Sequence, residues 1–124
     1  MLTAQFGSGR HLVILEALTT AGNGWTVRIT GGDRPHVGAV AMAVPSLNAA
    51  TGEKTCDVSV LTGPGHKDRF LAEKVADYLC RQTGEIISVT AGVHVDHASK
   101  EDLSLLVEHT MKAASLLLQY SHES

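Results

Sequence analysis

Apolar residues recur along this chain with two different periods. Trp25, Val27 and Ile29 alternate with Thr26, Arg28 and Thr30, the spacing of a strand with one buried face. The same period runs through 37–44, with Val40, Met42 and Val44 on one face, Ala39, Ala41 and Ala43 on the other, and Pro45 expected to stop the strand. Cys56, Val58 and Val60 alternate with Thr55, Asp57 and Ser59 in a further strand. From Ile86 to Asp96 the odd positions Ile87, Val89, Ala91, Val93 and Val95 are apolar, while Ser88, Thr90, Gly92, His94 and Asp96 share a polar face. Leu12 to Leu18 is apolar on both faces, and Gly22-Asn23-Gly24, residues that accept positive φ, turns it back as a hairpin into the strand at Trp25.

Two segments change to helical spacing. Between His66 and Thr83, Leu71, Val75, Tyr78 and Leu79 form one stripe, and Gly84 stands at the position of a C-terminal cap. Ser99 followed by Asp102 resembles a capping box, and Leu103, Leu106, Val107, Thr110, Met111, Ala114, Leu117 and Leu118 then continue at helical intervals. Residues 1–10 and 121–124 are expected to be flexible ends of a single domain spanning 1–124.

These elements predict an α+β fold: a largely antiparallel sheet of five to six strands with two helices on one face. Two helices cannot cover both faces of such a sheet. The strands at 12–18 and 37–44 are apolar or small on both sides, so the free face is expected to meet the same face of a second copy in a homodimer. With the first four strands taken as a meander, the loops after Ile29, after Leu61 and after the strand that ends near Asp96 all leave the same rim of the sheet.

Composition narrows the function. The chain has 124 residues, 44% of them hydrophobic and 19% charged, enough for a core without disulfides or metal. A net charge of −3 and only five aromatic residues, Phe6, Trp25, Phe70, Tyr78 and Tyr120, argue against nucleic acid as a partner. Cys56 and Cys80 sit in apolar contexts with no Cys-x-x-Cys and read as reduced core residues. The first ten residues do not read as a signal peptide and no apolar run reaches membrane-spanning length, so no membrane association and a cytoplasmic location are expected.

The unusual residues gather in three segments: 31–38, 63–68 and 92–99. Gly63-Pro64-Gly65-His66-Lys67-Asp68 leads from a strand into a helix, so unpaired N–H groups and Lys67 suit a phosphate or carboxylate; equally, it is a tight turn that Asp68 caps. Gly31-Gly32 would let backbone approach a ligand, with Arg34 as a planar fork for an anion, or the segment is a β-turn fixed by Pro35. His94 and Asp96 share a strand face, and His36 or His66 would complete a metal site; the alternative is a hydrogen-bonded His–Asp pair. No Ser or Cys has the context of a nucleophile, and His11, His109 and His122 read as structural or solvated.

Taken together and in order, Gly31-Gly32-x-x-Pro35-His36-x-Gly38, Gly65-His66-Lys67-Asp68 and Gly92-x-His94-x-Asp96-x-Ala98 resemble the LpdD-like family of prenylated-flavin chaperones associated with gallate decarboxylase, over about Leu12 to Leu118. The resemblance implies a small dimeric accessory protein rather than an enzyme, with a fold similar to eukaryotic proteasome-assembly chaperones. It implies a protein that binds reduced prenylated FMN and assists activation of a UbiD-type decarboxylase of aromatic acids. Motif matches and the shared rim together assign Gly31, Gly32, Arg34, His36, Gly65, His66, Lys67, Asp68, His94 and Asp96 to the cofactor site, with Lys67 and Arg34 on the phosphate. The flavin ring needs a flat apolar wall, for which only Trp25 or a dimer partner is available. The competing readings are a metal-dependent hydrolase using His36, His66, His94 and Asp96, and an assembly factor with no small ligand.

Overall fold

The computed structural model describes residues 1–63 and 66–123, the side chain of residue 66 excepted. Six strands and two long helices follow in the order β1 (Leu2–Phe6), β2 (Val13–Thr19), β3 (Trp25–Gly32), β4 (Ala39–Leu47), β5 (Lys54–Thr62), α1 (His66–Thr83), β6 (Ile87–His94) and α2 (Lys100–Glu123), with a 3-10 turn at Gly9–His11. The strands form one mixed sheet in the order β1-β2-β3-β6-β4-β5. The predicted α+β fold is present, and both helices lie on one side, α1 against β4, β5 and β6 and α2 against β1 and β2.

The expected meander is not. β6 lies between β3 and β4, parallel to β3 and antiparallel to β4. Periodicity reports which face of a strand is buried, not which strand is beside it, and the strand wholly buried at Ile87, Val89, Ala91 and Val93 takes a central place. The shared rim survives the correction. β5 runs antiparallel to β4, which is antiparallel to β6, so β3, β5 and β6 all end at the same edge.

Alternation sets the layers. Leu15, Val27, Ile29, Val89 and the alanines 39, 41 and 43 face the helices and are buried; so are Leu71, Val75 and Leu79 of α1 and Leu106, Ala113 and Leu117 of α2. The β4 alanines leave room for α1 to lie close to the sheet. Their larger neighbours point the other way: Val40, Met42 and Val44 stand on the uncovered face, 38–46% exposed. β4 also continues past Pro45 to Leu47, beyond the expected stop. Its pairing with β6 ends at Ala43, so Pro45 has a strand on one side only, the edge-like position in which a missing N–H is tolerated.

A strand lies within the first ten residues. Leu2–Phe6 pairs with β2, Ala4 is buried, and the Phe6 ring packs 5.2 Å from that of His109 on α2. At the other end, α2 runs as helix to Glu123. The Gly22–Gly24 turn joins β2 and β3 as expected, and Gly84, at φ +71, donates its N–H to Cys80 O at the end of α1.

The capping box at α2 is complete: Ser99 N–H donates to Asp102 Oδ2 at 2.9 Å, and Asp102 N–H to Ser99 Oγ at 3.0 Å. Asp102 Oδ1 also lies 2.7 Å from His11 Nε2, and His109 Nδ1 donates to His11 O at 2.7 Å, so His11 and His109 tie the 3-10 turn to α2, as their structural reading implied. The Ser99 N–H, then His11, hold the Asp102 carboxyl down at about 2 from an ordinary 3.8. A depressed carboxyl stabilises the fold above its unfolded pKa and loses that contribution as pH falls through the folded one. The charge-dependent part of the stability difference between wild type and Asp102→Asn should therefore be full above about pH 5, fall progressively as pH drops toward the folded value of about 2, and be gone only near about pH 1, as read by urea denaturation at each pH.

Candidate functional site

Where β3 ends, the chain has to cross from one side of β6 to the other to begin β4, and it does so over the end of β6. Asp33 and Arg34 N–H groups both donate to His94 O, His36 N–H to Gly92 O at 3.4 Å, and Gly38 N–H to Ala91 O at 2.8 Å. Two glycines make this possible. A Cβ on Gly92 would overlap the His36 carbonyl oxygen, and one on Gly38 would overlap the Asp68 carboxylate. Gly32 adds a turn at φ +76 beside His94 O. Gly31 is packed against the backbone at Leu12 and Val13, where a Cβ would overlap the Leu12 carbonyl oxygen.

The crossover places Arg34 and His36 over the polar face of β6. Arg34 Nη2 donates to Asp96 Oδ1 at 2.5 Å and lies 3.1 Å from His94 Nε2, which is itself 2.9 Å from the same Asp96 oxygen. A guanidinium only donates, so His94 Nε2 either accepts from Arg34 or donates to Asp96, never both. His94 and Arg34, in that order of effect, hold the Asp96 carboxyl below the ordinary carboxylate range.

His36 turns its other side to the helix. Its Nε2 is 3.0 Å from Asp68 Oδ2, and its Nδ1 is 3.3 Å from Arg34 O. Asp68, in the first turn of α1, is 2% exposed, and its second oxygen accepts from Val93 N–H at 2.9 Å. The sequence places Asp68 in the ligand site; here both its oxygens are engaged inside the protein, and it positions His36 and β6. Lys67, half-buried beside it, makes no hydrogen bond or ion pair with the described residues. Gly65 and the His66 side chain lie outside the described residues.

Arg34, His36 and His94 line a concavity of about 240 Å³ at the rim. Among the described residues no group of three or more His, Cys, Asp and Glu is arranged to hold a metal ion. His97, at φ +53, is exposed in the turn after β6, and Trp25 is buried at the opposite end of the sheet, its Nε1 donating to Glu85 Oε2. Trp25 therefore cannot wall this site. A larger cavity of about 340 Å³ lies at that far end, lined in part by Cys56 and Cys80. Burial, then the Cys56 thiol, pushes Cys80 up to about 12, which keeps it a protonated thiol at neutral pH.

Sequence reasoning missed Arg10. Its guanidinium donates to Asp33 Oδ2 at 3.3 Å and to Asp96 O at 2.5 Å, while the same Asp33 oxygen accepts from Asp96 N–H at 2.9 Å. Nothing in the periodicity of residues 1–10 marks it, because its partners are more than twenty and more than eighty residues away.

A six-stranded mixed sheet with two helices on one face is an architecture shared with solved structures. The chain superposes with TM-score 0.63 and 12% identity on a chain from the "Crystal Structure of a Novel Chaperone Complex for Yeast 20S Proteasome Assembly", covering 99% of this chain and 98% of that one; at this identity the likeness is one of fold. Residues 7–122 match the family model described as "Prenylated flavin chaperone LpdD-like domain", and the chain belongs to that family. It is also 33% identical over 76 residues to Protein LpdD of Lactiplantibacillus plantarum, a match covering 61% of this chain and about half, 53%, of that relative. The resemblance carried by the three motifs is thus borne out.

The buried carboxylate gives the site its testable dependence. Asp68→Ala strands Val93 N–H and removes the His36 partner, and should cost about 2–4 kcal/mol in urea denaturation. Asp68→Asn keeps an acceptor for Val93 N–H and should cost less than half as much.

Proposed function

We propose that this protein binds reduced prenylated FMN at the β3/β6 rim and hands it to a UbiD-type decarboxylase, acting in the cytoplasm as an accessory protein with no catalysis of its own. The observation that carries the reading is the concavity lined by Arg34, His36 and His94 at the end of the sheet where α1 begins, in a chain of the prenylated flavin chaperone family. The His94 imidazole, the planar cation of Arg34 and the N-terminal turn of a helix with Lys67 suit the phosphate of such a cofactor. The chemistry of the flavin ring is used in the enzyme that receives it; these residues bind and orient the phosphate end.

The ring itself asks for an apolar surface, and among the described residues none of Phe, Tyr or Trp lines the concavity. His94 projects from the uncovered face, and the same face carries Val40 and Leu61, paired across β4 and β5, with Leu61 78% exposed. Together with Met42 and Val44 these side chains make an apolar patch of the kind that marks a contact surface. A homodimer through this face would bury it and bring a second aliphatic surface beside each His94.

Two measurements test the reading. Anaerobic titration with reduced prenylated FMN should show binding that Arg34→Ala and Lys67→Ala each weaken about tenfold, the scale of one charge-assisted phosphate contact. Absence of binding, together with no rise in activation of an apo-decarboxylase, would overturn it. In sedimentation at roughly ten micromolar, a strength ordinary for oligomers, the wild type should be a dimer and Met42→Lys a folded monomer. A monomeric wild type removes the homodimer.

A further inference from the structure

We propose that Asp96 is a built-in competitor for the anion site: its carboxylate holds Arg34 and His94 while the site is empty and releases them to the phosphate of the incoming ligand. The inference rests on the reading of the rim as a phosphate site and assigns Asp96 a role opposite to that of a ligand contact.

The charges at the rim are nearly all spoken for. Arg10 is paired with Asp33, His36 with Asp68, and Arg34 and His94 with Asp96. An anionic ligand can take Arg34 and His94 only where a carboxylate gives way. Two of the three are fixed by the backbone as well as by side chains. Asp68 is buried and accepts from Val93 N–H. Asp33 Oδ2 accepts from Asp96 N–H in addition to Arg10. The Asp96 carboxylate has neither restraint. Its described partners are the side chains of Arg34 and His94, both on Oδ1, and the side chains are 48% exposed for Asp96, 69% for Arg34 and 40% for His94.

Exposed ion pairs of this kind are held weakly, because water screens them and both side chains remain free to reorient. A phosphomonoester dianion offers Arg34 two oxygens in the geometry of its fork and twice the charge of a carboxylate. The exchange therefore runs toward the ligand, and Asp96 keeps Arg34 and His94 aimed at the concavity until it arrives. When the phosphate leaves, Asp96 takes its place, so the Arg34 guanidinium is not left uncompensated to hold the cargo.

Calorimetric titration of the full chain with FMN, with riboflavin as the analogue lacking phosphate, tests this without any decarboxylase. Asp96→Asn, which keeps the shape and removes the charge, should bind FMN about fivefold more tightly than wild type. Riboflavin binding should not change. In the Arg34→Ala background the gain from Asp96→Asn should disappear, since the exchange needs the cation. An equal gain with and without Arg34 would reduce the effect to long-range repulsion and overturn the exchange. So would unchanged or weaker FMN binding by Asp96→Asn beside a wild type that binds. If neither protein binds FMN or inorganic phosphate, the phosphate reading of the rim falls, and this inference with it.

Discussion

β6 lies between β3 and β4, two strands formed earlier in the chain, so the connection from β3 to β4 has to pass over its end. That one constraint accounts for most of what is unusual at the rim. The crossover can lie against β6 only where β6 has no side chain, and Gly92 provides the gap into which the His36 carbonyl fits. Gly38 does the same beneath the Asp68 carboxylate, so the start of α1 can approach the crossover from the helix side. The backbone hydrogen bonds from 33–38 to β6 replace a ladder that the exchange of neighbours would otherwise leave open.

Electrostatics follow from that geometry. Residues from the N-terminal turn, the crossover, α1 and the end of β6 meet within hydrogen-bonding distance, and Arg10, Arg34 and His36 each meet a carboxylate. The carboxylates differ in what they hold. Asp68 is internal architecture, Asp33 clamps the crossover to the turn after β6, and Asp96 is bound by exposed side chains alone. Burial separates these roles, because a carboxylate removed from water must keep its partners while one in water can change them.

The two faces of β4 connect the site to assembly. Alanines 39, 41 and 43 let α1 settle close to the sheet, which brings its first turn and Asp68 to His36. The bulk of the strand is thereby placed outward as Val40, Met42 and Val44, on the face from which His94 also projects. One alternation thus serves the core on one side and an apolar surface at the margin of the site on the other.

The sequence alone determined the kind of element at nearly every position: the helices at 66–83 and from 100, the hairpin at 22–24, the cap at Ser99, and the alternation that names each buried face. It also named the three segments that meet, since Gly, His and Asp in strand ends are unusual enough to notice. The short alternation of Leu2, Ala4 and Phe6 was present too, but five residues carry little periodic signal, and β1 is stable only because β2 and α2 lie beside it. Strand order, the burial of Asp68, the part played by Arg10 and the position of Trp25 at the far end were decided by tertiary structure. The physical reason is the same for each. Periodicity is a local property of the backbone, whereas neighbours, burial and charge partners depend on residues tens of positions away that only the completed sheet brings into contact.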